Sequence, residues 1–209
     1  MATTQAALVV WDHFDAPPAG QFTTLGTSPT TYTGTFGGIA GVDRTVTLTH
    51  QGGPAVYTAG INIPSPDKLD INSAVNANGK TDVTYSKAGG LNLDGTPYLG
   101  WQFDDFSNDN NGPVAFTVII ATDGVGASTW VGAVASGASN VSILIPWGAF
   151  VGVADISNID WVRFSFDTPA SGDMDLHAID LVIPEPGDYA LLAGLGLVGF
   201  GAWRRFRKA

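Results

Sequence analysis

From Ile159 to Asp167 the side chains alternate with a period of two. Val162, Phe164 and Phe166 share one face, and Trp161, Arg163 and Ser165 the other. The same rhythm recurs in short segments near 7–14, 42–49, 56–63, 68–75, 81–88, 97–105, 113–122, 128–135, 140–147, 159–167 and 174–183, each bounded by Gly, Pro, Asn or Asp. No ten-residue helical pattern lies between them, so the crossovers that parallel strands require are missing. Residues 7–183 are therefore expected to form one all-β domain, an antiparallel β-sandwich with a jelly roll as its specific topology. The 27 Gly and 12 Pro among 209 residues fit many turns and short strands.

Faces can be assigned to several strands. Val114, Phe116, Val118 and Ile120 oppose Ala115, Thr117 and Ile119, which predicts a central strand covered on both sides. In Met174 to Ile183, the residues Ile179, Leu181 and Ile183 share a face with Asp175 and His177. Residues 104–112 read as a polar loop and Gly34 to Gly41 as a glycine-rich one.

Charge is unevenly distributed. Up to Ile183 there are 17 acidic and 5 basic residues; from Pro184 onward there are 2 and 4. So acidic a body repels phosphate backbones, which excludes nucleic acid as a partner. Eighteen of the nineteen acids are Asp, and the sole Glu is Glu185. Asp suits turns and Ca²⁺ sites alike, because its short side chain keeps the carboxylate near the backbone. There is no cysteine, so thiolate chemistry and disulfides are excluded. His13, His50 and His177 are too far apart for a metal-ligand motif, no Gly-x-Ser-x-Gly elbow occurs, and the body lacks Glu. The expectation is a protein that is not an enzyme, with no catalytic residues and no required cofactor.

The C-terminal segment has three ordered parts. Pro184-Glu185-Pro186 comes first, then an uncharged apolar run over 189–203, then the basic residues of 204–208, among them Arg204, Arg205, Arg207 and Lys208. As a helix the run would be about 22 Å long, short of a hydrocarbon core of roughly 30 Å. Tyr189 and Trp203 bracket it as interfacial aromatics, and the cations after it suit a stop-transfer role, so a single C-terminal transmembrane helix is expected. Gly194-Leu195-Gly196-Leu197-Val198-Gly199 matches a dinucleotide fingerprint but lacks the strand before it and the βαβ unit after it. The two prolines fix their own φ, and Pro186 biases Glu185 toward an extended form.

These three elements resemble the PEP-CTERM sorting signal of exported bacterial proteins. The resemblance implies recognition by the membrane protease-transpeptidase exosortase, transient membrane insertion, cleavage near Pro184, Glu185 and Pro186, and release or attachment at the cell surface or extracellular matrix. It further implies an association with exopolysaccharide and biofilm. It covers residues 184–209, about an eighth of the chain. Residues 1–6 include Thr4-Gln5-Ala6, of small-x-small form, and read as the remnant of a signal-peptide cleavage region.

The body resembles surface domains that precede this signal. Phe36-Gly37-Gly38-Ile39-Ala40-Gly41-Val42-Asp43-Arg44 is similar to their Gly-Gly-x-x-Gly-x-x-Arg turn. Ile145-Pro146-Trp147-Gly148-Ala149-Phe150 with Ile156 to Asp160 is similar to the late strands of galactose-binding-like and carbohydrate-binding jelly rolls. For that kind of domain the resemblance implies a structural Ca²⁺ tying N-terminal to C-terminal strands, with Asp12, Asp15, Asp173 and Asp175 as candidate ligands. Sugars bind aromatic platforms flanked by polar groups. Trp161 and Arg163 offer such a pairing, with Trp130 and His177 as candidate neighbours; the competing reading is that Trp161 only covers an edge or a loop. Extracellular polysaccharide is thus the expected partner besides exosortase and membrane. The alternative is a structural or adhesive surface subunit that binds no sugar.

Overall fold

The computed structural model describes residues 7–15, 21–24, 29–53, 57–61, 68–73, 76–109 and 111–184, together with 197, 200 and 203. Fifteen strands are present among them: β1 Ala7–Asp12, β2 Gln21–Thr24, β3 Thr30–Phe36, β4 Ile39–Gly52, β5 Tyr57–Ile61, β6 Leu69–Ser73, β7 Asn78–Ser86, β8 Gly100–Asn108, β9 Val114–Thr122, β10 Gly126–Val134, β11 Ala138–Pro146, β12 Val151–Gly152, β13 Trp161–Thr168, β14 Gly172–Leu176 and β15 Ala178–Ile183. Every pairing is antiparallel. One sheet runs β1-β15-β8-β14-β6-β5-β2, with β11 on the other side of β8; the second runs β12-β10-β9-β13-β7-β4-β3. This is the two-sheet antiparallel sandwich that a jelly roll requires.

The core forms where the inward faces meet. Phe164 and Phe166 of β13 and Phe116 of β9 face Trp101, Phe103 and Phe106 of β8, and all are fully buried. Their rings meet mostly edge-on, as Phe103 and Phe116 do at 4.6 Å and 84°, while Phe116 and Phe166 stack at 4.9 Å and 12°. Each such pair contributes about 0.5–1.5 kcal/mol beyond the area it buries. Face assignments for β13 hold. The expected double coverage of β9 does not: Ala115 is exposed, and Thr117 and Ile119 are half-buried on an open outer face.

Two irregularities change which residues point where. In β1, pairing passes from Val10–Asp180 directly to Asp12–Ile179, leaving Trp11 as a bulge. Trp11 and Asp12 are consequently both buried, which strict alternation forbids. The predicted strand 174–183 is broken at His177. Met174 and Leu176 face the core before the break, Ile179 and Leu181 after it, so Asp175 and His177 are not on the face of Ile179. β8 lies along both halves, pairing Asp104 with Ala178 and Ser107 with Asp175. Asp105 sits at the irregular point between them with φ +52°.

Two segments expected to be loops are strands. Asp104 to Asn108 complete β8, and most of Gly34 to Gly41 belongs to the β3–β4 hairpin, turning at Gly37 and Gly38. Gly37 has φ +54°, and a Cβ there would run into the Trp11 ring. The turn thereby packs against β1 of the opposite sheet, with the Gly37 N–H donating to the Trp11 carbonyl at 3.2 Å.

Arg44, at the end of that motif, is buried to 1% exposure. Its Nη1 donates to Asp12 Oδ2 at 2.6 Å, and the Tyr85 hydroxyl donates to the same oxygen at 2.6 Å. The Phe14 N–H donates to Asp12 Oδ1 at 2.7 Å. The guanidinium is ringed by Phe36, Tyr32 and Phe14, 5.3–5.7 Å from their centroids. Burial disfavours the charge on Arg44, but Asp12 outweighs it and holds the guanidinium above its ordinary value. Burial, reinforced by Asp12, pushes the Tyr85 phenol well above the usual range.

Of the C-terminal segment, Pro184 is described and half-buried. Leu197, Phe200 and Trp203 are helical and exposed. Glu185, Pro186, Arg204, Arg205, Arg207, Lys208 and most of 189–203 lie outside the described residues, as do residues 1–6. Among the described residues no helix is long and apolar enough to cross a membrane.

Removing one partner of a buried ion pair leaves the other uncompensated. Arg44→Met should therefore cost about 3–5 kcal/mol in urea unfolding, and Tyr85→Phe, which removes one donor, about 1–3 kcal/mol. Two variants with wild-type midpoints would show that the bridge carries no stability.

Candidate functional site

The two sheets present outer faces of different chemistry. On the β9–β13 side, cross-strand register places Trp161 opposite Ala121 and Ser86, and Arg163 opposite Ile119 and Thr84. Trp161 and Arg163 do stand together, with the guanidinium carbon 5.9 Å from the indole centroid. Arg163 Nε is buried and has no hydrogen-bond partner. Beside the half-buried indole opens a shallow cleft of about 430 Å³, walled by the β9–β10 turn from Asp123 to Gly126 and floored by Ala121 and Ala127.

The turn is held rigidly. The Val125 N–H donates to the Thr122 carbonyl at 3.1 Å, with Gly124 at φ +73° supplying the left-handed position. The Asp123 N–H donates to Asp160 Oδ2 at 2.7 Å, and the Thr122 hydroxyl donates to the Asn158 carbonyl at 2.9 Å. The wall facing Trp161 is thus fixed before anything binds.

The other two residues expected beside Trp161 are elsewhere. Trp130 is in register with the core residue Val118, and its ring meets Phe116 edge-on at 5.4 Å. It closes the core margin on the opposite face from Trp161. His177 lies on the other sheet, at the break between β14 and β15.

The outer face of that other sheet is acidic and has two clefts. The first, about 310 Å³, is lined by Lys68, Asp70, Asn72, Asp109, Asp173 and Asp175, with Ser107 at its side. Asp70 and Asp175 are direct cross-strand neighbours, and Lys68 Nζ donates to Asp175 at 2.9 Å and stands 3.9 Å from Asp70. Burial and the Asp175 charge push Asp70 up to about 6. Burial opposes the charge on Lys68, but its hydrogen bond to Asp175 and the surrounding carboxylates hold it above its ordinary value.

The second cleft, about 360 Å³, is bordered by His13, His177, Asp104, Asp105 and Asp180 over Leu8 and Ala178. Asp180 is only 3% exposed. Its carboxylate accepts from the Trp11 backbone N–H, freed from the ladder by the bulge, and lies within hydrogen-bond reach of Asp104. Its Oδ1 accepts no hydrogen bond, and the nearest basic side chain, His13, has its Nε2 3.6 Å away. Burial and the neighbouring Asp104 raise Asp180 to about 6 against the opposing pull of His13. Asp104 itself is oriented by Gln102 Nε2, which donates to both oxygens at 2.9 and 3.0 Å.

The four candidate calcium ligands are not brought together. Asp173 and Asp175 share the first acidic cleft, Asp12 is turned into the core onto Arg44 and Tyr85, and Asp15 is exposed near the β3–β4 turn. Among the described residues no three His or Asp side chains are gathered closely enough to hold a metal ion. Asp180 was identifiable in the sequence as the lone charge within Ala178-Ile179-Asp180-Leu181-Val182. Its partners were not, because the β1 bulge and the His177 break decide them.

No known protein-family profile matches the chain. No curated protein matches it either. Among solved structures, the family 11 carbohydrate-binding module of the cellulosomal cellulase Lic26A-Cel5E of Clostridium thermocellum aligns at 18% identity over 87% of this chain and 97% of its own, with TM-score 0.46. A family 11 module from Clostridium thermocellum in complex with a β-1,3-1,4-mixed-linked tetrasaccharide aligns at 17% identity over 86% and 97%, TM-score 0.45. A mutant family 29 carbohydrate-binding module complexed with mannohexaose aligns at 12% identity over 70% and 96%, TM-score 0.38. These likenesses are loose, and the ligands named belong to those proteins.

A carboxyl raised in the folded state keeps a proton that the unfolded chain has lost, so Asp180 disfavours folding increasingly as pH rises from about 4 to about 6. Asp180→Asn removes that penalty. The wild type should lose melting temperature relative to Asp180→Asn between pH 4.5 and 7.5, and parallel curves would refute the raised value.

Proposed function

We propose that the chain is a non-catalytic, exported surface domain that binds polysaccharide in the extracellular matrix. The Trp161 cleft carries this reading. A half-buried indole, a guanidinium over its ring, and a fixed turn opposite make a concave platform of the kind that receives a flat apolar ring face with polar edges. Farther across the same sheet face, β3 and β4 add hydroxyls in register: the Thr31 and Thr45 hydroxyls are 3.0 Å apart, and Thr33 donates to Asp43. These suit neutral, hydroxyl-rich ligands.

Delivery rests on the C-terminal sequence. Pro184, Glu185 and Pro186, the apolar run and the cations from Arg204 onward support export, transient membrane insertion and processing by an exosortase. A jelly-roll topology for the body is part of this proposal; Asp12 is committed to Arg44 and does not join Asp173 and Asp175 in a shared site.

A second reading, an adhesive subunit without sugar binding, is favoured by one feature. Val151, Val153 and Val125 are 80%, 65% and 55% exposed along the short edge of the same sheet. Such an apolar rim suits contact with another protein.

Pull-down on a panel of neutral matrix polysaccharides should show binding that weakens at least tenfold in Trp161→Ala, about 1.4 kcal/mol. Absence of binding to every polymer, with concentration-dependent self-association lost in Val151→Ser, would favour the adhesive reading. For sorting, Glu185→Ala or truncation after Ile183 should abolish surface retention; unchanged cell-surface labelling would refute it.

A further inference from the structure

We infer that the cleft between β1, β8 and β15 is a binding site for a primary ammonium group, supplied by the free amine of an amino-sugar polymer. This rests on the reading of the domain as a polysaccharide binder but places a second site on the opposite sheet from Trp161.

The demand for a cation is visible in Asp180. A buried carboxylate oxygen without a hydrogen bond needs an explanation, because its desolvation is otherwise uncompensated. Oδ1 of Asp180 is such an atom, in a side chain only 4% exposed that borders the cleft. Its closest charged neighbours are another carboxylate, Asp104, and a histidine 3.6 Å away that carries charge only when protonated. Asp105 adds a third carboxylate at the bulge. The site thus holds excess negative charge around an acceptor with nothing donating to it.

The geometry selects among cations. A divalent ion draws its oxygens to within about 2.0–2.6 Å of one point, and no three His or Asp side chains among the described residues converge so closely. An ammonium group has three donors, accepts ligands at about 2.7–2.9 Å and tolerates a looser cage. Leu8 and Ala178 give the cleft an apolar floor for the carbon skeleton that carries the amine. A polymer is favoured over a single amine because the other acidic cleft lies on the same face. Asp175 in one cleft and Asp180 in the other are five residues apart along nearly continuous strands, about 17 Å. In that cleft the amide of Asn72 and the hydroxyl of Ser107 stand beside the carboxylates. Repeated amines on one chain can meet both.

The test is calorimetric titration of the full chain with a glucosamine hexamer, an N-acetylglucosamine hexamer and hexalysine. The glucosamine hexamer should bind at least tenfold more tightly than its N-acetylated counterpart, and more weakly at 500 mM than at 50 mM salt. Asp180→Asn should lose at least tenfold. Asp105→Asn should lose at least threefold; it alters an exposed residue with positive φ, a conformation that Asn also adopts, and so keeps the test valid if Asp180→Asn misfolds. No binding of the glucosamine hexamer, equal binding of the acetylated form, or wild-type affinity in both variants would overturn the inference. Hexalysine binding as tightly, with the same losses, would assign the cleft to lysine side chains and overturn the amino-sugar assignment. Neutral polysaccharide binding that depends on Trp161, without amine binding, sinks this inference alone; amine binding without Trp161-dependent neutral binding sinks the Trp161 reading alone.

Discussion

The Asp12 carboxylate is the point at which the two sheets are tied. It belongs to β1 in one sheet, and its partners Arg44 and Tyr85 belong to β4 and β7 in the other. Burying a charge among Phe14, Tyr32 and Phe36 is unfavourable unless the geometry and hydrogen bonds are nearly complete, and an apolar replacement of the whole set could be equally stable. What the bridge adds is registration. Apolar faces can slide past one another at little cost, whereas a carboxylate with three donors has one place to sit.

The bulge that turns Asp12 inward also shapes the opposite surface of the same sheet. With Trp11 out of the ladder, its N–H is available to the Asp180 carboxylate on the outer face. One extra residue in β1 thus sends an aspartate into the core and fixes another at the floor of a surface cleft. A matching irregularity lies across the sheet, where Asp105 and His177 interrupt β8 and the β14–β15 strand side by side. Bulges collect where a sheet must re-aim side chains, and here they border a single cleft.

The fold class and most strands were legible because alternation is imposed by burial on one face: Val162, Phe164 and Phe166 could belong to nothing else. The strands missed had no such pattern. β3 reads Thr-Thr-Tyr-Thr-Gly-Thr-Phe, polar enough to pass for a loop, and becomes a strand because its hairpin with β4 is pinned beneath Trp11. The pairing of Trp161 with Arg163 was legible because residues two apart share a face. The positions of Trp130 and His177 were not, since they depend on which strands neighbour β13 and on a parity change at position 177. The calcium quartet failed for the same reason: proximity of chain ends in a sandwich does not fix which way Asp12 points, and a bulge reversed it.

The two outer faces make opposite electrostatic offers from one small domain. The β13 face pairs hydroxyls across strands and carries Arg163 and Lys80 among Asp43, Asp82 and Asp167, so cations offset much of its negative charge. The β14–β15 face sets Lys68 and two histidines against a row of aspartates, including Asp70, Asp104, Asp175 and Asp180. A neutral ring stacks best where few charges must be desolvated, and a cation binds best where carboxylates are already crowded together. These demands are incompatible within one cleft but not across a sandwich, whose core keeps the two fields apart. β15, the last strand among the described residues, lies between β1 and β8 and ends at Ile183.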